Sequence, residues 1–496
     1  MEWQVTGVAA PTYAAGVSRA SVNAWIAILL VCIAVAAVVA PAVASTGGYL
    51  MAVAAALAGA LVFAIVLRPE VAAYVYVLAT PLIVGIARGD ALPILRPNEA
   101  LLAVILLGLG CRAMLTMLQG RPYRFPVNGI DLVFVLLAVC ASVLPLALRW
   151  GRGEPISSDD LLYAIVLWKY YAIYRIFRQS VTTERQVSIC LWLSLASAIV
   201  VAVLAILQVS NLFGVPEFLF AHFDNPFQAT ARIITDRGTS TIASSFGVAD
   251  TMMMNLAIVM TMLCQRHPKW WALSICGGIF VFGCIAAGQF SGYIGLAVTV
   301  LTVGIVTGRL RQTLAVTIPV ACLAIALLWP VLAERLSGFQ SLSGLPSSWV
   351  NRLENLERFF LDELFSGLNW LTGVRPSARI ATPEPWREWV YIESGYLWLL
   401  WTGGVPLVVA YMLFIWNAQH KLREVIRAHS NSIGVAATAS LSWAVTMSLL
   451  MVLDPHLTMR GAADLFYPLL ALSFVGAPST GLSGTKEFAK ESREPT

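Results

Sequence analysis

Arg387-Glu-Trp-Val-Tyr-Ile-Glu393-Ser-Gly-Tyr396-Leu-Trp-Leu-Leu-Trp-Thr-Gly403-Gly404 decides how the rest of this chain is read. It begins charged and aromatic and ends apolar, so it marks the point where a polar loop turns into a membrane span. Leu332 to Gly404 is the longest polar interval in an otherwise oily sequence. The chain has 496 residues, of which 58% are hydrophobic and only 12% charged, and its mean hydropathy is +0.77. That lies outside the range of soluble globular domains. A large soluble all-α protein would need polar helix faces that most of these runs lack. The composition therefore predicts an all-α integral membrane protein whose apolar helices hold one charged loop at a membrane face.

Runs of roughly 20 apolar residues, the length that crosses a bilayer core as a helix, fall at about 22–45, 48–67, 70–87, 99–118, 129–148, 159–177 and 186–209. Others fall at 249–264, 270–289, 291–307, 312–331, 395–417, 432–453 and 461–476. The expectation is about fourteen transmembrane helices (12–14), the closely spaced pair between 270 and 307 being the least separable. The chain then divides into a cytoplasmic segment 1–21, spans one to seven over 22–209, a loop 210–248 and spans eight to eleven over 249–331. A large loop 332–394, the last three spans over 395–476 and a tail 477–496 complete it. The first run ends in Ala-Val-Ala-Ser, which faintly resembles a signal-peptidase site, but its length and thin basic start favour a retained span.

Orientation follows from the distribution of positive charge. With the long loop outside, Arg121/Arg124, Arg175/Arg178/Arg185, Arg266/Lys269, Arg309/Arg311 and Lys421/Arg423/Arg427 all fall inside, and both termini are cytoplasmic. The outer loops then carry Arg88, Arg96, Arg149, Arg152, Arg232, Arg237, Arg335, Arg352, Arg358, Arg375, Arg379, Arg387 and Arg460, and no lysine. Guanidinium is the better bidentate partner for phosphate and diphosphate oxygens; arginine-rich composition and loop salt bridges are the plainer explanation. The eight cysteines all lie in apolar runs without metal or redox spacing, as small packing residues do. No basic block suited to nucleic acid is present.

In the first outer loop His222, among phenylalanines, reads as a packing residue. In the second, Pro346-Ser-Ser348 offers an N-cap, after which Val350, Leu353, Leu356, Phe359, Phe360, Leu364 and Leu368 recur at helical spacing. This predicts an amphipathic helix on the outer membrane surface, or one packed on other helices. Trp386, Trp389, Tyr391, Tyr396, Trp398 and Trp401 sit where an interfacial aromatic belt belongs, with stacking on sugar rings as the alternative. Glu393, a carboxylate at the edge of a span, needs either a partner, for which Arg387 and Arg352 are the candidates, or a role as a general base. Within the spans themselves, Arg112, Asp131 and Lys169 stand out as charges that pair between helices, snorkel or line a cavity.

From about 129 to 410 the chain resembles the O-antigen ligase and polymerase family of bacterial glycan assembly. Arg237-Gly-Thr, then Ser-Phe-Gly, then Met-Asn255-Leu-Ala is similar to the family's Arg-led re-entry into the membrane. Arg352-Leu-Glu-Asn-Leu356 fits its Arg-x-x-x-Leu, and Glu393-Ser394, nine residues, then Gly404 fits the pattern that closes its long loop. Two departures stand out. The ligases carry His where this chain has Glu393, and the family's Ser-Arg-Gly turn is here Phe290-Ser291-Gly292-Tyr293. The acidic residue is closer to the exopolysaccharide-polymerase branch.

The resemblance implies a GT-C-like glycosyltransferase of the bacterial inner membrane with its active site on the periplasmic side. It implies metal-independent, inverting transfer, with no cofactor, from an undecaprenyl-diphosphate-linked glycan to a saccharide or lipid acceptor, beside other polysaccharide assembly proteins. Glu393 would take the acceptor proton, and Arg352 and Arg237 would neutralise the diphosphate. Arg232, Arg375, Arg387, Tyr396 and Trp389 would bind substrate. Transfer of finished polymer to lipid A-core or a protein is the ligase alternative. A flippase for lipid-linked oligosaccharides is the alternative of another class, set back by the absence of an evident internal repeat and by one long, late loop.

Overall fold

A computed structural model describes residues 49–87, 96–120, 123, 125, 127–224, 233–337, 347–382 and 388–476. The expected first span, both terminal segments, Arg232, Arg387, Trp386 and Pro346 of the expected N-cap lie outside what is described. Nearly all the rest is helix: α1 (Tyr49–Leu67), α2 (Glu70–Ile83), α3 (Pro97–Leu118), α4 (Gly129–Ala141), α5 (Val143–Gly151), α6 (Ser158–Ala164), α7 (Val166–Ser180), α8 (Glu184–Val209), α9 (Val215–His222), α10 (Ser245–Cys264), α11 (Trp270–Ala286), α12 (Phe290–Val306), α13 (Leu310–Leu327), α14 (Trp329–Ser337), α15 (Ser347–Leu356), α16 (Gly395–Ala428), α17 (Ser432–Leu450) and α18 (Ala462–Leu472). Among the described residues 7 segments are long and apolar enough to cross a membrane, α4 and α5 counting together as one, and several shorter apolar helices of 10–17 residues accompany them. This is the architecture of an all-α, multi-pass membrane protein. The α6–α7 segment, expected as a span, is too polar to count among the 7.

The sequence sets the helix ends. Asn128 accepts hydrogen bonds from the Ile130 and Asp131 amides at the start of α4, Thr183 caps α8 and Ser244 caps α10, each satisfying a donor the helix cannot. At the centre run α10 and α17, whose apolar windows are 89% and 83% buried, whereas α13 is only 11% buried. Polar contacts tie the centre together: Ser194 Oγ donates to Asn255 Oδ1 at 2.7 Å and Thr299 and Thr446 share a hydrogen bond. The outside is oily. Leu57, Leu107, Leu132, Ile305 and Leu327 are each more than half exposed, far more apolar surface than a protein in water presents.

The conspicuous intramembrane charges resolve into structural pairs. Arg175 Nη1 meets Asp131 Oδ1 at 2.7 Å with both side chains buried. Arg112 donates to the Val66 carbonyl at the end of α1, and Lys169 lies 4.3 Å from the Tyr170 ring centroid. Sequence reading passed over Asp250, Asp160 and Asp464, all more deeply buried than Lys169.

The loops gather at one end of the bundle. Gly85 N donates to Thr241 O and Asp224 N to Gly85 O; Arg152 reaches Asn369 and Thr372; Arg379 Nε holds Asp159 at 2.6 Å. Every one of these joins segments that the charge distribution assigns to the same side, as the alternation of helix directions requires.

Three elements differ from expectation. First, the long loop contains a small antiparallel hairpin, β1 (Arg379–Ala381) with β2 (Trp389–Tyr391), pairing Ile380 with Val390. Second, the surface helix is not one continuous apolar face. After α15 the backbone widens into a π-helical turn at Glu357–Leu361, which inserts a residue and rotates the face by about 100°. Phe360 and Leu364 are then 1% exposed while Leu353 and Leu368 are 55% and 62% exposed. Third, the aromatic run is only partly a belt: Trp401 is fully buried, its Nε1–H donating to Ser377 O at 2.9 Å and its ring edge-on to Phe360.

Candidate active site

Glu393 is brought to the site by the turn between β2 and α16. The next residue but one makes that turn possible: a Cβ at Gly395 would lie 2.4 Å from Met451 Sδ and 2.9 Å from Asp454 O. The Tyr396 amide donates to Met451 O. The start of α16 is thereby pressed against the loop that joins α17 to α18, Met451 to Gly461.

A second glycine device sits about two and a half turns further on. At Gly404 the α16 backbone leaves the helical region, with φ 63° and ψ −159°, a conformation essentially reserved for glycine. The break frees the Trp401 carbonyl, which accepts the Val374 amide at 2.7 Å and the Arg375 amide at 3.3 Å. A Cβ on Gly404 would come within 2.2 Å of Leu371 O, and one on Gly403 within 2.3 Å of Cys140 O. The Gly403-Gly404 pair therefore docks the long loop onto the broken helix.

Between these supports Arg352 of α15 bridges two carboxylates. Its Nε lies 3.0 Å from Glu393 Oε2, and its Nη2 and Nη1 lie 3.3 Å from Asp454 Oδ1 and Oδ2. The guanidinium carbon is 5.8 Å from the Phe246 ring centroid. The Glu393 side chain is 39% exposed and Asp454 only 5%, so one carboxylate opens to the surrounding medium and the other is sealed below it. Burial pushes the Asp454 carboxyl up to about 6, against the pull of Arg352 and His456.

Behind Asp454 the row continues. His456 Nδ1 lies 2.7 Å from Asp250 Oδ2 of α10, both side chains 1% exposed. Burial lowers the imidazole pKa, but the Asp250 carboxylate outweighs it and holds the group above its ordinary value. Glu393, Arg352, Asp454, His456 and Asp250 thus alternate in charge from an exposed end to a buried one. Next to them on the same loop, Arg460 shares Asp224 with Arg96, at 3.3 and 3.5 Å.

The other candidate residues have these positions. Arg237 pairs with its neighbour Asp236 at 3.3 Å and lies against Gly288, in the corner between α11 and α12. That corner touches the start of α10 through Gln289 Nε2 and Ser245 Oγ at 2.5 Å. Arg375 is committed to Asp160 at 3.0 Å and to Ser157, a buried brace between the long loop and α6. Tyr396 spends its hydroxyl on Ser448 O at 2.7 Å, and Trp389 carries the Arg379 guanidinium 4.2 Å from its ring centroid. The site therefore unites Glu393 and Arg352, and gives Arg375, Tyr396 and Trp389 structural partners.

Sequence reading missed Asp454, His456 and Asp250. The one signal for the first two was Asp454-Pro-His456 in a short turn between two spans, where an acid and a nearby His are costly unless they are paired. Among the described residues no cluster of three or more His, Cys, Asp and Glu is arranged to hold a metal ion. No model of a known protein family matches the chain, and no characterised protein matches it in sequence.

Proposed function

We propose that this protein is an inner-membrane glycosyltransferase that joins glycan repeat units at the outer membrane face, with an undecaprenyl-diphosphate-linked glycan as donor. The observation that carries the reading is Arg352 held between a half-open carboxylate, Glu393, and a sealed one, Asp454. An inverting transfer needs two things at one point: a base for the acceptor hydroxyl and a cation for the leaving diphosphate. The acceptor oxygen forms its bond to the anomeric carbon while the bond from that carbon to the diphosphate oxygen breaks. The electron pair leaves with the undecaprenyl diphosphate, and the acceptor proton passes to Glu393.

Charge balance bears on the order of events. With both carboxylates ionised, the Arg352 group is net negative and would repel a diphosphate. Arg352 therefore turns from its carboxylates toward the phosphates as the donor arrives, which frees Glu393 to act as base. Arg237 is the second cation of the reading. An apolar cavity of about 390 Å³, lined by Ile285, Tyr293, Leu296, Leu314 and Leu332 among others, opens between α11, α12 and α13 next to its corner and suits part of a polyprenyl chain.

Glu393 in place of the ligases' His favours polymerisation over ligation. Purified protein in liposomes, supplied with lipid-linked repeat units, tests the proposal. Lipid-linked products of two or more units support it; passage of intact units across the bilayer with no new glycosidic bond would overturn it in favour of a flippase.

A further inference from the structure

The Asp250–His456 pair is the most deeply buried ion pair against the site, and the transfer chemistry above does not use it. Both side chains are 1% exposed and their contact is 2.7 Å. Asp250 Oδ1, His456 Nε2 and Trp443 Nε1 are buried without a hydrogen-bond partner among the described residues. Such atoms are costly, and an apolar pair of the same size would fill this space more cheaply. The imidazole is also boxed in by rings, with Phe246 and Trp443 centroids 6.4 and 6.3 Å away. Beyond its partner Asp250, a cation held in such a place acts strongly on the next carboxylate along, because little solvent screens it.

That carboxylate is Asp454, two residues away, whose carbonyl accepts the His456 amide at 2.8 Å. The charged groups facing Asp454 are Arg352 from α15, Glu393 from the turn before α16, and His456 on its own loop. Those facing His456 are Asp250 from α10, Asp454 and Arg352. When Arg352 turns to a diphosphate, His456 is the one cation in this set that stays. We propose that His456, clamped by Asp250, is a positioning residue that keeps Asp454 anionic after Arg352 departs, so that Asp454 draws Arg352 back and resets the site. The use of this device in transfer rests on the proposed function; the charge linkage does not.

The test therefore begins without any substrate. Lipophilic carbodiimide labels buried carboxyls in their protonated form, and mass spectrometry reads its yield at Asp454 against pH in detergent-purified protein. In the wild type, labelling should rise as pH falls through about 6. In His456→Gln and in the isosteric Asp250→Asn the midpoint should move up by a pH unit or more; an unchanged midpoint in either folded variant overturns the proposal. Should both variants fail to fold, hydrogen–deuterium exchange at the His456 ring carbon in the wild type decides. A midpoint above the ordinary histidine value of about 6.5 supports the clamp, and one at or below it sinks it. In the liposome assay, His456→Gln should shift the acid limb of kcat upward and leave KM within about twofold. A shifted Asp454 midpoint with no transfer by the wild type would remove the glycosyltransferase reading and leave the charge linkage standing.

Discussion

Arg352 makes contacts that lysine cannot copy. Its Nε serves Glu393 while Nη1 and Nη2 serve both oxygens of Asp454, and an ammonium has no planar fork to span two carboxylates. Arg352→Lys should therefore cut product at least about tenfold even though charge is kept, as read from polymer formed per unit of membrane protein; wild-type yield would exclude a forked contact. Glu393→Gln keeps the size of the side chain and removes its basicity, and product should fall by about 100-fold or more with the protein still present in the membrane. Asp454 adds a pH dependence whose sign is fixed. Its carboxyl sits at about 6 in the folded state, above the ordinary value of about 3.9, so its contribution to stability is complete below about 3.9 and is lost as pH rises through 6. Asp454→Asn does not titrate. Its melting temperature should gain on that of the wild type between pH 4 and 7, which a thermal-shift series in detergent measures.

Among the elements, α16 departs furthest from a plain span. Its 34 residues would reach about 50 Å as one helix, longer than a bilayer core of about 30 Å, so Lys421, Arg423 and Arg427 lie beyond the apolar stretch. The interruption at Gly404 makes a sharp prediction. Gly404→Ala forces a side chain into a positive-φ, extended-ψ backbone and onto Leu371 O, a strain of about 1–3 kcal/mol from the backbone alone. It should lower the melting temperature and detach the loop at 371–375, seen as faster amide exchange there. Gly110→Ala is the control, because nothing lies within 4 Å of its Cβ and the helix gains propensity. Gly404 was visible in the sequence as the end of the loop-closing pattern; that it breaks a helix was not, because the backbone it accommodates, at Leu371, is distant in the chain. The π-helical turn was hidden for a similar reason. Val350 to Leu368 obeys a helical period on paper, and only the socket offered by Trp401 decides that Phe360 turns inward.

For the whole molecule, the order of helices was legible almost throughout, because apolar length and turn chemistry are local properties. The partners of charges were not. Asp131 finds Arg175, Asp160 finds Arg375, and Asp454 finds Arg352, pairings across tens to hundreds of residues that no window of sequence contains. Glu393 was singled out correctly as a charge in need of company, and Arg352 was one of two partners considered. Sidedness makes the test at this scale. Phe365, 60% exposed in the long loop, and Arg423 near the far end of α16 should face opposite compartments. Phe365→Cys should react with a membrane-impermeant maleimide in spheroplasts and Arg423→Cys only after lysis; the reverse pattern would invert the topology.

The Trp401 carbonyl also constrains how the chain is made. A span with a broken hydrogen-bond ladder is a poor substrate for the translocon, since its orphan carbonyl meets lipid until something covers it. Here the cover is the Val374 amide, which precedes Trp401 in the chain. The long loop thus supplies the hydrogen bonds that the broken helix lacks. Chains divided between 376 and 395 would separate a helix from its own missing hydrogen bond.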